Sequence, residues 1–173
     1  LGDAQYGLEQ IAELVMSLKN FSRVDRSQTE LFDLNEGIET SLKICQNQIK
    51  DLDIQRDFGE LPDISCAPSQ LNQVFLNLIN NAAQAMDGKG TLTLSTAVDG
   101  DNAVVRVRDS GCGMDAETAA HIFEPFFTTK PVGEGTGLGL SIVFRIIEDP
   151  GGRISVESEP GVGTEFVVSL PIA

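Results

Sequence analysis

GEGTGLGLSIV, from Gly133 to Val143, places four glycines at alternate positions and then runs straight into an apolar helical pattern. Glycines let a backbone turn sharply and approach a ligand closely. The first turn of a helix aims unpaired N–H groups at an anion. The chemistry open to such a stretch is the cradling of phosphate. It is neither of the commonest phosphate loops. A Walker A loop needs GxxxxGK[ST], and no Lys follows these glycines. The GxGxxG spacing, laid on Gly135 and Gly137, needs a glycine where Leu140 stands.

APSQLNQVFLNLINNAAQAM carries a second constellation. Leu71, Val74, Phe75, Leu78, Ile79, Ala82 and Met86 make one apolar helix face, and Gln70, Gln73, Asn77, Asn81 and Gln84 lie opposite. A solvated face normally carries Lys and Glu, whereas Asn is a poor helix former. A row of amides supplies donors and acceptors together. That suits a partly buried polar surface, and an ordinary exposed face fits the stripe equally well. Asn77 and Asn81, four apart, share one side. An Asn carbonyl is a hard oxygen ligand of the kind Mg²⁺ takes when phosphates and waters complete its shell.

DSGCGM, Asp109 to Met114, ends a strand and turns on two glycines. Asp109 continues the parity of Val105 and Val107, so it is expected on the buried side, where a carboxylate needs a donor. The exocyclic amine of adenine is one such donor; a cap on the turn is the other reading. HIFEPFFTTKPVGEGTG then crowds three Phe beside prolines before Thr128, Thr129 and Lys130. Loops of this length tend to be lids or binding loops. Lys130 is the local cation best placed for a terminal phosphate, or else a solvated residue.

These groups need elements to hold them. A helix is expected from Asp33, with Asp33 or Asn35 as N-cap and Ile38, Leu42 and Ile44/Cys45 facing inward. Short strands are expected at LDIQRDF and DISC, then a helix from Pro68 to about Met86. TLTLSTAV and NAVVRVRD read as a hairpin across Asp99-Gly100. A short helix at DAETAAHIF precedes the loop, a helix runs from Gly137 to Asp149, and RISVESEPGVGTEFVVSLPI closes the chain as two strands. The expected fold is α+β, a mixed sheet of about five strands with three main helices, over residues 31–173. Before it, Leu8, Ile11, Leu14/Val15, Leu18 and Phe21 give a helical stub with a narrow apolar stripe wanting a partner helix. A polar joint, RSQTE, separates the two.

Composition narrows the function classes. The 173 residues are 41% apolar and 22% charged, with a formal net charge of −14. That balance argues against nucleic acid, whose binding rests on neutralising phosphates with Lys and Arg. Any nucleotide must be held by backbone N–H groups, a metal ion and a few local cations. No apolar run approaches the ~20 residues of a membrane span, and nothing at the start reads as a signal peptide. The chain begins at Leu1, inside a helical pattern, and is expected to be a piece of a longer protein. Cys45, Cys66 and Cys112 are odd in number and far apart, which fits reduced thiols in a cytoplasmic protein.

NLINNA at 77–82, DSGCGM at 109–114, IFEPFFTTK at 122–130 and GEGTGLGL at 133–140, in that order, resemble the N, G1, F and G2 boxes of bacterial sensor histidine kinases. These belong to the superfamily shared with gyrase B, MutL and the large heat-shock ATPases. The likeness covers roughly residues 33–171, and NLINNAAQAM with FEPFFTTK looks most like the nitrogen-sensing type. It implies a two-layer α/β sandwich of the Bergerat type that holds ATP or ADP beneath a mobile lid, from about Met114 to Thr136. Asn81 would be the Mg²⁺ ligand and Asn77 its neighbour on the phosphate side. Asp109 would bind the adenine amine, Gly111, Gly113 and Met114 would shape the pocket, and Thr164 would contact adenine from the last strands. Thr128, Thr129 and Lys130 would reach the nucleotide from the lid. Gly135, Thr136, Gly137, Leu138, Gly139 and Leu140 would line the phosphates. Gln84 stands where many relatives carry a basic residue, and Pro150 where many carry His.

The first 26 residues, with FSR near their end, resemble the second helix of the dimerisation and phosphoacceptor hairpin of these kinases. The acceptor motif, a His followed by an acidic residue and then Asn or Thr-Pro-Leu, is absent. The single histidine, His121, is followed by Ile-Phe-Glu-Pro, so no catalytic residue is assigned within the chain. The resemblance implies a transferase whose domain serves that hairpin and a response-regulator receiver domain, in a homodimeric parent that is cytoplasmic or membrane-anchored. An anti-sigma-type serine/threonine kinase and a nucleotide-sensing module without transfer are the alternatives.

Overall fold

The computed structural model describes residues 29–127 and 139–172. The stub expected over residues 1–26 lies outside them, as do Thr128, Thr129, Lys130, Gly135, Thr136, Gly137 and Leu138. Along the chain come β1 (Glu30–Phe32), α1 (Leu34–Ile44), α2 (Gln46–Ile49), β2 (Asp53–Phe58), β3 (Ile64–Cys66) and α3 (Pro68–Ala85). They are followed by β4 (Thr91–Asp99), β5 (Asn102–Asp109), α4 (Ala116–Ala119), α5 (Gly139–Glu148), β6 (Arg153–Glu159) and β7 (Gly163–Pro171).

Helix α3 starts on Pro68, whose fixed φ and missing N–H cost nothing in a first turn. Its expected apolar face is buried in full, from Leu71 to Met86. In α5, Ile142, Val143, Ile146 and Ile147 are buried at helical spacing. Helix α1 is capped by Asp33, whose carboxylate accepts from the Glu36 N–H at 3.2 Å. Asn35, the other candidate cap, clamps an edge strand instead: it donates to the Gly59 carbonyl and accepts from the Thr96 hydroxyl. At the end of α1, Cys45 rather than Ile44 faces the core.

Five strands form one mixed sheet in the order β2-β4-β5-β7-β6; β2 runs parallel to β4 and the other pairings are antiparallel. Period-two alternation sends Leu92 and Leu94, Val105 and Val107, Phe166 and Val168 to one face, where they are buried. Helices α1, α3 and α5 lie side by side on that face, with α3 in the middle. The opposite face carries Arg106 and Arg108 beside Glu165 and is solvated; Arg106 pairs with Glu165 at 3.1 Å. The result is two layers, one of helices and one of strands.

Three local features differ from expectation. β1 pairs with β3 as a separate two-stranded sheet, and its first residue, Glu30, falls within the segment read as a polar joint. The hairpin between β4 and β5 turns on Gly100-Asp101, one residue further along than Asp99-Gly100, because Gly100 takes the left-handed φ of +62°. The helix expected over DAETAAHIF is the single turn α4, followed by irregular turns. The end of α5 is closed by Gly151 at φ +92°, after which the Gly152 N–H reaches back to the Ile147 carbonyl at 3.0 Å.

Candidate functional site

Helix α3 supplies one wall. Gln73, Asn77 and Asn81 are all half-buried, so the amide row is a partly enclosed surface; Gln84, at its far end, is exposed. Gln73 Nε2 donates to Asn77 Oδ1 at 3.1 Å, and Asn77 Nδ2 donates to the Gly139 carbonyl at 3.2 Å. Both ends of the Asn77 amide are thus occupied in tying α3 to the start of α5. One turn on, ~5.4 Å along the axis, the Asn81 carboxamide has no partner among the described residues. One turn further still, the Ala85 carbonyl receives the Cys112 N–H at 3.1 Å. Asn81 therefore sits between the start of α5 and the DSGCGM turn.

The floor comes from the inner face of β5 and β7. Asp109 and Thr164 are cross-strand partners, and both are buried. Asp109 Oδ1 accepts from the Gly111 N–H at 2.9 Å, so the turn-capping reading holds. Burial pushes the Asp109 carboxyl above the usual carboxylate range, while the backbone N–H groups of Gly111 and Thr164 pull it part of the way back. A carboxylate has about four lone-pair positions, so these two donors leave capacity for a ligand. Close approach fixes the turn. A Cβ on Gly111 would lie 2.6 Å from the Ala85 carbonyl oxygen. Gly113, at φ +69°, has the Glu159 carbonyl against the space where a Cβ would go.

Ser158, which sequence reasoning missed, binds this floor together. Its Oγ accepts from the Met114 N–H at 2.8 Å, donates to the Gly163 carbonyl at 3.1 Å and lies 2.8 Å from Thr164 Oγ1. A signal was available: Ser158 keeps the inward parity of Ile154 and Val156, which makes it a polar residue at an apolar position.

Phe123 anchors the start of the FEPFF segment, its ring 5.4 Å from that of Phe144 on α5 and 6.3 Å from that of Phe166 on β7. An open cleft of about 400 Å³ runs between Phe123, Pro125 and Phe144. His121 is exposed and lies 3.1 Å from the Glu124 carboxylate. Gly139 and Leu140 open α5 beside Asn77, both half-buried. The fold thus gathers Asn77, Asn81, Gly111, Gly113, Met114, Asp109, Thr164 and Gly139 around one region. The described residues contain no cluster of three His, Cys, Asp or Glu that could hold a metal ion. A single neutral amide oxygen, that of Asn81, fits Mg²⁺ that takes its remaining ligands from phosphate and water.

A family model described as "Histidine kinase-, DNA gyrase B-, and HSP90-like ATPase" matches residues 66–173. The chain belongs to this ATPase family. The sensor histidine kinase ZraS of Escherichia coli (strain K12) is 36% identical over 167 residues, which is 95% of this chain and 36% of its own length. The solved full-length ShkA in complex with AMPPNP superposes with a TM-score of 0.82 at 29% identity, over 94% of this chain and 36% of that one. The catalytic domain of the histidine kinase ThkA gives a TM-score of 0.75 at 31% identity, over 84% of this chain and 96% of that one. Over most of its length the chain is thus similar to the catalytic domains of histidine kinases. It spans 17% to 36% of the length of the curated relatives it matches. None of its described helices is long and apolar enough to cross a membrane.

Proposed function

We propose that the domain binds Mg-ATP between α3 and the DSGCGM turn and presents the γ-phosphoryl group to a histidine imidazole on a dimerisation and phosphoacceptor hairpin. The observation that carries this reading is the buried Asp109–Thr164 pair on the sheet floor, facing a helix whose Asn81 amide has no partner among the described residues. Asp109 accepts the adenine amine, with Thr164 beside it and Gly111, Gly113 and Met114 shaping the edge. Asn81 holds Mg²⁺, which neutralises phosphate charge when bound. Asn77 fixes the start of α5, so that the backbone of Gly135, Thr136, Gly137, Leu138, Gly139 and Leu140 surrounds the phosphates. Gln84, Thr128, Thr129 and Lys130 approach from the rim and lid. NLINNAAQAM and FEPFFTTK support the nitrogen-sensing-like type. The domain's contribution is positioning and charge stabilisation.

In the full-length protein the acceptor nitrogen takes the γ-phosphorus, ADP leaves, and the phosphoryl group passes to an aspartate of a response regulator. The parent works as a homodimer whose catalytic domain faces the cytoplasm. The test is incubation of the full-length protein with γ-labelled Mg-ATP, split between acid and base treatment. Label lost in acid and kept in base is expected. Acid-stable label would point to a serine/threonine kinase, and good ATP binding without label to a nucleotide sensor. Label on His121 would overturn the role given to the missing hairpin.

A further inference from the structure

We infer that Ser158 sets the base selectivity of the site by fixing the direction of the Thr164 hydroxyl, leaving the pocket floor with lone pairs only. The inference rests on the nucleotide reading above and adds to it a specificity-determining residue that touches no ligand. A serine hydroxyl has one proton to donate and two lone pairs to accept with. Ser158 Oγ has three partners: the Met114 N–H at 2.8 Å, the Gly163 carbonyl at 3.1 Å and Thr164 Oγ1 at 2.8 Å. An N–H can only donate and a carbonyl can only accept, so the Ser158 proton goes to Gly163. The third contact is then satisfied only when Thr164 donates to Ser158.

That spends the one proton of Thr164. What remains on its oxygen is lone-pair density, on the same inner face as the Asp109 carboxylate across the strand pair. The ionised carboxylate is also an acceptor only. Two neighbouring acceptors without a donor match a group that brings two N–H bonds, the exocyclic amine of a 6-aminopurine. They repel the carbonyl oxygen of a 6-oxopurine. The backbone cannot easily shift to undo this arrangement. Gly163, at φ +145°, packs directly against the Asp109 carbonyl, leaving no room for a Cβ. The strand segment carrying Thr164 is thereby pinned to the strand carrying Asp109.

Without Ser158 the Thr164 hydroxyl turns freely and can donate to a carbonyl. Calorimetric titration of the full-length wild type, Ser158→Ala, Ser158→Thr and Thr164→Val with ATP and with inosine triphosphate tests this. These two ligands differ in the amine-to-carbonyl exchange and the ring proton that goes with it. The wild type is expected to favour ATP, and Ser158→Ala to lower the ATP-to-inosine ratio about tenfold, the scale of one hydrogen bond. Ser158→Thr keeps the hydroxyl and should keep the ratio. Thr164→Val should lower the ratio by itself and leave Ser158→Ala nothing further to change. A merely structural Ser158 would weaken both ligands by one common factor, and that result overturns the inference. If Ser158→Ala does not fold, an unchanged ratio in Thr164→Val overturns it equally. A wild type that binds neither triphosphate sinks the nucleotide reading itself.

Discussion

Asn77 and Gly139 are joined by a hydrogen bond of 3.2 Å from the side-chain amide to the backbone carbonyl, and Gln73 holds that amide in orientation at 3.1 Å. Asn81, one turn along the same helix, is joined to nothing among the described residues. Two asparagines of one motif are therefore separated in role: one latches the start of α5 and the other is available to a ligand.

Their alanine variants should separate in the same way. Asn77→Ala removes the side-chain donor to the Gly139 carbonyl and should lower unfolding stability by about 1 kcal/mol. Asn81→Ala removes no bond to the described residues and should stay within about 0.5 kcal/mol of wild type. Its effect should fall on ATP affinity measured with Mg²⁺, and not on affinity measured in chelator. Urea melts and paired titrations read both quantities. Unchanged Mg-ATP affinity in Asn81→Ala would remove the metal-ligand assignment.

Glycines in the site differ in why they are glycine, and stability measurements should rank them. Gly161 takes φ +78° with open space around it, so Gly161→Ala bears only the left-handed backbone cost of about 1–2 kcal/mol. Gly113 has a similar φ, but its Cβ would also run into the Glu159 carbonyl. Gly113→Ala should therefore cost clearly more than Gly161→Ala and loosen the contact between the DSGCGM turn and β6. Equal denaturation midpoints for the two variants would show that the turn yields without resistance.

The pH dependence of stability follows from Asp109. Its folded-state pKa is raised by burial, more than the N–H groups of Gly111 and Thr164 lower it. The ionised form is thus disfavoured in the fold relative to the unfolded chain, whose aspartates titrate near about 3.9. The contribution of this residue is favourable below that value and is lost as pH rises through the raised folded pKa. Asp109→Asn cannot ionise and escapes that loss. The melting temperature of Asp109→Asn minus that of wild type should grow from acid toward neutral pH and then level off. A difference that shrinks over that interval would contradict the raised pKa.

Much of this arrangement was legible because single residues carried unambiguous physical signals. The alternation through Val105, Val107 and Asp109 placed a carboxylate on the buried side, where it is found. The amide row opposite Leu71 to Met86 marked a half-enclosed helix face. Pairings that depend on distant chain were not legible. β1 is three residues long and exists through β3, and no local pattern makes β2 run parallel to β4. Asn35 looked like a cap, yet its amide meets Gly59 and Thr96, far along the sequence. Ser158 gave a parity signal, but its partners lie on the turn and on β7, and only the folded chain brings them together.

Cys112 offers a probe of the site that changes no residue. The three cysteines are free, and Cys112 alone is exposed. Burial raises the Cys45 thiol, and burial with the nearby Glu30 charge pushes Cys66 up to about 11. Thiolate is the reactive form, so both resist alkylation at mildly alkaline pH. The Cys112 backbone is held on both sides, its N–H by the Ala85 carbonyl and its carbonyl by the Gly161 N–H at 2.7 Å. That backbone is therefore fixed in the turn that begins at Asp109 and would border adenine. Iodoacetamide should give a single adduct on the peptide containing Cys112, and adducts on all three cysteines in urea. Saturating ATP should slow the folded-state reaction several-fold. If calorimetry shows ATP bound and the Cys112 rate does not change, the nucleotide lies away from the DSGCGM turn, and the roles given to Asp109, Gly111 and Gly113 fall together.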